Sequence, residues 1–146
     1  MNVPTGQALA IESVDFIYQA ASGSGAAGDL MAGNGAISVQ LTDLNPSSTL
    51  IISDDQSLVA SGSLNVDVPN SILSHNSDLY PDNFGPSALS ESFMVVNDTL
   101  YLVAGNDISA TGATNVSVTA RVRCRVVKLS KMDWMAIAIQ STASDN

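Results

Sequence analysis

The first 120 residues contain no lysine and no arginine. All five basic residues, Arg121, Arg123, Arg125, Lys128 and Lys131, fall within one stretch of eleven positions, and twelve of the fourteen carboxylates precede it. Ion pairs within the fold must therefore draw on that one segment. The same scarcity, at a net charge of −9, rules out the broad basic footprint that phosphate binding needs. Nucleic acid is not an expected partner.

Other shortages narrow the reading further. Charged residues make up 13% of the chain, against roughly 25% in an ordinary soluble domain. Such a chain leaves an apolar surface if it stays alone, and apolar patches mark interfaces. One cysteine, Cys124, excludes an internal disulfide. No run approaches the 18 or so apolar residues of a membrane span, so a membrane is not an expected partner. The first residues lack a basic stretch followed by an apolar one, the form of a secretory signal. We expect synthesis in the cytoplasm, with any exit by a route such as lysis.

Catalytic and metal-binding signals are equally sparse. His75 is the sole histidine, and a lone His without Cys or carboxylate companions does not specify zinc. No G-x-S-x-G elbow accompanies it, so it reads as a solvated loop residue, and no enzyme is expected. Gly23-Ser24-Gly25-Ala26-Ala27-Gly28 matches G-x-G-x-x-G in form, with Asp43 about twenty residues on. The mechanism needs a helix facing the pyrophosphate, and Gly33-Asn34-Gly35 leaves no room for one. Asp54-Asp55, Asp78 with Asp82, and Asn106-Asp107 offer oxygen ligands without the spacing of a calcium loop. Asx residues at turns are favoured for backbone reasons alone. We expect no cofactor and no metal. Aromatics total 5%, which is thin for a sugar-stacking face.

What is present is alternation. Arg121-Val122-Arg123-Cys124-Arg125-Val126 places three guanidiniums on one strand face and Val122, Cys124 and Val126 on the other. Three like charges side by side need water, carboxylates or an acidic partner. Cys124 reads as a small hydrophobe on the apolar face. Ala8 to Gln19 forms a second long strand, with Glu12, Val14, Phe16 and Tyr18 on one side and Ile11, Ser13, Asp15 and Ile17 on the other. The two longest strands, near the termini, are expected to pair or to lie side by side.

Between them, shorter strands are expected at Ala36 to Leu41, Thr49 to Ile52, Gln56 to Ala60 and Leu64 to Val68, the last stopped by Pro69. Residues 20–35 read as a Gly/Ala/Ser connection and residues 70–90 as a long irregular excursion. Ser92 to Val96 and Thr99 to Ala104 suggest a hairpin across Asn97-Asp98. Asn115 to Leu129 is the longest strand. Ser130-Lys131-Met132-Asp133 has the form of a helix cap, so at most one short helix near residues 131–138 is expected, with a final strand as the alternative. The tail from Ser141 reads as frayed. Residues 1–146 thus make one all-β domain, an antiparallel β-sandwich or jelly-roll barrel.

In type, the chain resembles the small jelly-roll or β-sandwich proteins of virus particles, including decoration (cement) and minor capsid proteins of tailed phages. The likeness rests on Leu9-Ala10-Ile11-Glu12-Ser13-Val14-Asp15-Phe16 as an opening strand. It also rests on Val116 to Leu129, followed by Ser130-Lys131-Met132-Asp133-Trp134-Met135, as the close. It implies a virion structural protein made in the host cytoplasm, with a homo-oligomer, a trimer before other forms, contacting a major capsid protein or other virion subunits. Expected interface residues are Arg121, Arg123 and Arg125, laddered with Glu12 and Asp15 or with acids of a neighbour, together with Trp134. Arg suits such a ladder through bidentate pairing. The alternative is a glycan- or receptor-binding module of a phage fibre or spike, with function in residues 70–90 and the Asp-rich turns. A small β-barrel enzyme is a third reading, and the chain supplies no acid–base pair for it.

Overall fold

The computed structural model describes residues 4–20, 31–47, 49–51, 57–77, 93–107 and 115–144. Among these residues seven strands precede one helix: β1 (Gln7–Ala20), β2 (Gly35–Thr42), β3 (Leu58–Asp67), β4 (Ile72–Ser77), β5 (Phe93–Val95), β6 (Tyr101–Asp107), β7 (Val116–Lys128) and α1 (Lys131–Ser144). They form two antiparallel sheets, ordered β5-β1-β7 and β4-β3-β2-β6. The architecture is an all-β sandwich whose sheets keep open edges, not a closed barrel.

The two long alternating segments do pair. β1 and β7 run antiparallel from Gln7↔Lys128 to Ala20↔Val116. Beyond their end, Leu129 N–H donates to the Gly6 carbonyl at 2.8 Å, and Gly6 turns the chain with φ +85°, a conformation glycine adopts without a Cβ clash.

The register shifts once, between Ile11 and Ser13, leaving Glu12 as the extra residue of a bulge. The shift reverses which side chains face inward. Before it Ile11 is buried in the main core with Leu9 against it; after it Val14 and Phe16 take over. Ile11 therefore shares the core face with Val14 and Phe16, and Glu12 lies outside with Ser13 and Asp15, correcting the uninterrupted alternation expected from the sequence.

The main core joins these residues to Val39 and Leu41 of β2, Val59 and Ala60 of β3, and Phe93 and Val95 of β5. A second cluster gathers Ala20, Met31, Ile37, Leu64 and Val66, with Val116 and Val118 against it. A third lies on the outer face of the three-stranded sheet, where Ala8, Ala10, Met94 and Val96 meet Ile137 of α1, flanked by Trp134 and Ala138. Alanine is a poor strand former in isolation. Here its small side chain lets a helix sit close to the sheet.

Several expected elements differ. α1 is a helix of 14 residues, longer than the 131–138 expected, and it continues past Ser141. Ser130 caps it: its Oγ accepts from Asp133 N–H at 3.2 Å and its carbonyl from Trp134 N–H at 3.0 Å. Its inward residues Trp134, Ile137 and Ala138 recur at helical spacing. The hairpin across Asn97-Asp98 does not form, since β5 pairs with β1 and β6 with β2. That link crosses between sheets and is anchored by Asn97 Nδ2 donating to the Asp43 carbonyl at 2.9 Å. β3 is one strand where two were expected. β4 occupies part of the supposed irregular region. Residues 49–51 are not a strand; Ile51 instead exchanges two 2.7 Å hydrogen bonds with the Gln40 side-chain amide.

Candidate interface

β7 ends the three-stranded sheet, so one side of its 13 residues has no neighbouring strand among the described residues. Its outward side chains meet β1 in register: Arg121 opposite Asp15, Arg123 opposite Ser13, and Arg125 opposite Ala10. The bulge then brings Glu12 within reach, and Arg125 Nε lies 3.3 Å from Glu12 Oε1. This is the one guanidinium of the three seen within ion-pair distance of a carboxylate among the described residues. The expected ladder is thus partly made: Glu12 is engaged, while Asp15 stands across from Arg121 without a bridge. All three arginines are exposed.

The opposite face of β7 changes character along its length. Val116, Val118, Ala120 and Val122 pack toward the sandwich interior. Cys124 and Val126 share that face, opposite Ile11 and Leu9, yet Cys124 is exposed and Val126 is 64% exposed. Cys124 thus lies on the apolar face, as expected, but at an end of it that is exposed rather than covered. β6, an edge strand of the four-stranded sheet, is also exposed on its inner face. Leu102 and Ala104 sit opposite Leu41 and Val39 on the inner face, but both are exposed, Leu102 by 42%.

Trp134 packs within the chain, half-buried in the third cluster, and its indole N–H is buried with no acceptor among the described residues. The outward stripe of α1 is formed instead by Met132, Met135 and Ile139, spaced three and four apart and exposed, Met132 by 81%. Sequence reasoning missed these residues. The signal was there: α1 is apolar on two faces, and only one can meet the sheet.

The remaining candidates do not assemble into chemistry. His75 is exposed on β4, its ring edge-on to Tyr18 with centroids 5.5 Å apart. Burial pushes the Tyr18 phenol up to about 12, and its hydroxyl has no hydrogen-bond partner among the described residues. Asp43 is buried at the end of β2, its backbone N–H donating to the Ser57 carbonyl at 3.0 Å and its carbonyl accepting from Asn97, which makes it a junction between connections. Gly23 to Gly28, Asp54-Asp55, Asp78 and Asp82 lie outside the described residues, as does most of the 70–90 segment. Among the described residues no three His, Cys, Asp or Glu side chains gather to hold a metal. No helix among them is long and apolar enough to cross a membrane.

Comparison of the chain with protein-family models, with curated proteins and with solved structures gave no match.

Proposed function

We propose that the chain is a virion structural protein, a decoration (cement) or small capsid subunit that works through contacts with copies of itself and with a major capsid protein. The observation that carries this reading is the number of large apolar side chains left in water, on several elements: Leu50, Ile72, Leu73, Leu102, Val126, Met132, Met135 and Ile139. A chain with 13% charged residues has little polar surface to dilute them, and contiguous apolar patches serve as interfaces. Apart from Leu50, which lies in a connection beside Gly105 of β6, they occur on the edge strands β4, β6 and β7 and on the outward side of α1, places open to a neighbouring subunit. A β-sandwich with open edges suits this role, because repetition on a particle multiplies modest contacts into high avidity.

Light scattering across a protein concentration series tests the reading. A closed oligomer, with a trimer as the first expectation, supports it. A monomer at every concentration counts against self-assembly and leaves only docking on a separate shell, which co-sedimentation with purified particles would then have to show.

A further inference from the structure

The two exposed edges, β7 and β6, are complementary to each other. β7 presents Arg121, Arg123 and Arg125 on its outer face and exposed Cys124 and Val126 on its inner face. It cannot readily pair with β7 of another copy. An antiparallel two-fold centred on Val122, Arg123 or Cys124 sets guanidinium against guanidinium, and like charges directly opposite are destabilising. The edge therefore calls for a strand that is apolar on one face and acidic, or at least not basic, on the other.

Among the described edges, β5 has three residues, and β4 carries His75 and no carboxylate. β6 fits. It holds no basic residue, ends on Asp107, and leaves Leu102 and Ala104 uncovered on its inner face. We infer that β7 of one copy adds to β6 of a second copy, joining the three-stranded sheet of one molecule to the four-stranded sheet of the next. This deepens the self-assembly reading above and rests on it.

Antiparallel pairing with Leu102 opposite Val126 sets Ala104 opposite Cys124 and Asp107 opposite Arg121. Side chains on paired strands share a face when directly opposite, so the two exposed apolar pairs continue one inner surface. The same register puts Gly105 opposite Arg123. A Cβ at Gly105 would lie 3.6 Å from Leu50 Cδ1, so Leu50, itself exposed, offers an apolar bed for the methylenes of an arginine arriving there. The contact is heterologous, unlike surfaces meeting, and it either closes a ring or grows a filament.

The sole cysteine supplies the test. Directly opposed residues on antiparallel strands have Cα atoms about 4.5–5.5 Å apart, within the range a disulfide spans. Under mild oxidation, A104C should give disulfide-linked chains whose peptide map joins positions 104 and 124, and A104C in a C124S background should lose that linkage. A second pair, L102C with V126C in the C124S background, repeats the test should A104C fold poorly. An assembly that gives neither linkage, or a wild-type chain that joins Cys124 to Cys124, overturns the β7–β6 contact while leaving self-assembly standing. A chain that stays monomeric and uncrosslinked at every concentration overturns both.

Discussion

Glu12 is the extra residue of the β1 bulge, and its Oε1 lies 3.3 Å from Arg125 Nε on the neighbouring strand. Side chain and backbone position contribute differently. The ion pair is exposed, the Arg125 and Glu12 side chains being 55% and 39% accessible, and such pairs contribute at most about 1 kcal/mol. E12Q should therefore shift the midpoint of chemical unfolding by less than about 1 kcal/mol. Deleting Glu12 removes the phase change itself. Either Leu9 and Ile11 turn outward or the pairing of β1 with β7 slips by one residue. A loss of about 4 kcal/mol or more, beyond the usual range for a point change, is expected in the same measurement. Equal effects of E12Q and the deletion would show that the bulge does not set the phase.

Gly62 on β3 lies under the aromatic side chains of β1. A Cβ built there would be 2.9 Å from Phe16 Cδ2, 3.1 Å from the Asn76 carbonyl oxygen and 3.2 Å from the Tyr18 hydroxyl. Two of these neighbours can yield, but the backbone oxygen is fixed by strand pairing. G62A should destabilise by about 1–3 kcal/mol, the usual cost of overpacking, and G62A with Y18F should recover part of it. A fully wild-type midpoint for G62A would mean that β3 and β4 separate more easily than the register implies.

Tyr18 links stability to pH at the alkaline end. Its folded phenol is raised to about 12 by desolvation, against about 10 in an unfolded chain. The folded state thus holds the proton more tightly, so the contribution is fully present below pH 10 and is lost as pH rises through about 12. Spectroscopic titration of the wild type should show a late phenolate component that Y18F removes, and the fall in stability between pH 10 and 12 should be shallower in Y18F. An unchanged slope would place the alkaline sensitivity elsewhere.

Strict alternation over a long run is legible in the sequence itself: β1 and β7 follow from the period of two, and their places near the two ends of the chain suggest that they pair or lie side by side. The bulge is not, because one extra residue in a strand leaves a pattern that still reads as alternation over each half. β4 is hidden because an edge strand needs few apolar residues, and Ile72–Ser77 is mostly polar. The β5–β6 link resembles a hairpin because Asn97-Asp98 carries the same turn chemistry whether the next strand returns to the same sheet or crosses to the other. At the interface, the arginine row is visible as a motif, but its place on an open edge depends on sheet order, which no local pattern encodes.

α1 offers a direct optical readout. Trp134 is the only tryptophan and packs against the outer face of the three-stranded sheet. Removing the cap with S130A leaves the Asp133 amide without its side-chain acceptor and should cost about 0.5–2 kcal/mol. That loss should appear as an earlier red shift of Trp134 emission on heating. If emission and backbone unfolding stay coincident in S130A, α1 melts with the sandwich rather than detaching from it.

The arginine row also has a role that needs no partner. A long open strand edge is a template for uncontrolled pairing, and charged side chains along it suppress that pairing. The triple variant R121T/R123T/R125T keeps residues suited to a strand while removing three charges and raising the magnitude of the net charge. If overall repulsion governed solubility, this more acidic chain would stay soluble; if the local charge on β7 governs it, the variant should turn turbid on warming sooner than the wild type. The two explanations thus predict opposite outcomes in one light-scattering experiment. Because the proposed β7–β6 contact sets Arg121 opposite Asp107, the variant should also lose the defined oligomer before aggregates appear. Added salt should weaken the wild-type oligomer as well, by screening exposed charges over about 8 Å at physiological ionic strength. A triple variant that stays clear and keeps the wild-type mass would remove the arginines from both roles and leave the apolar pair Leu102 and Val126 as the remaining basis of the contact.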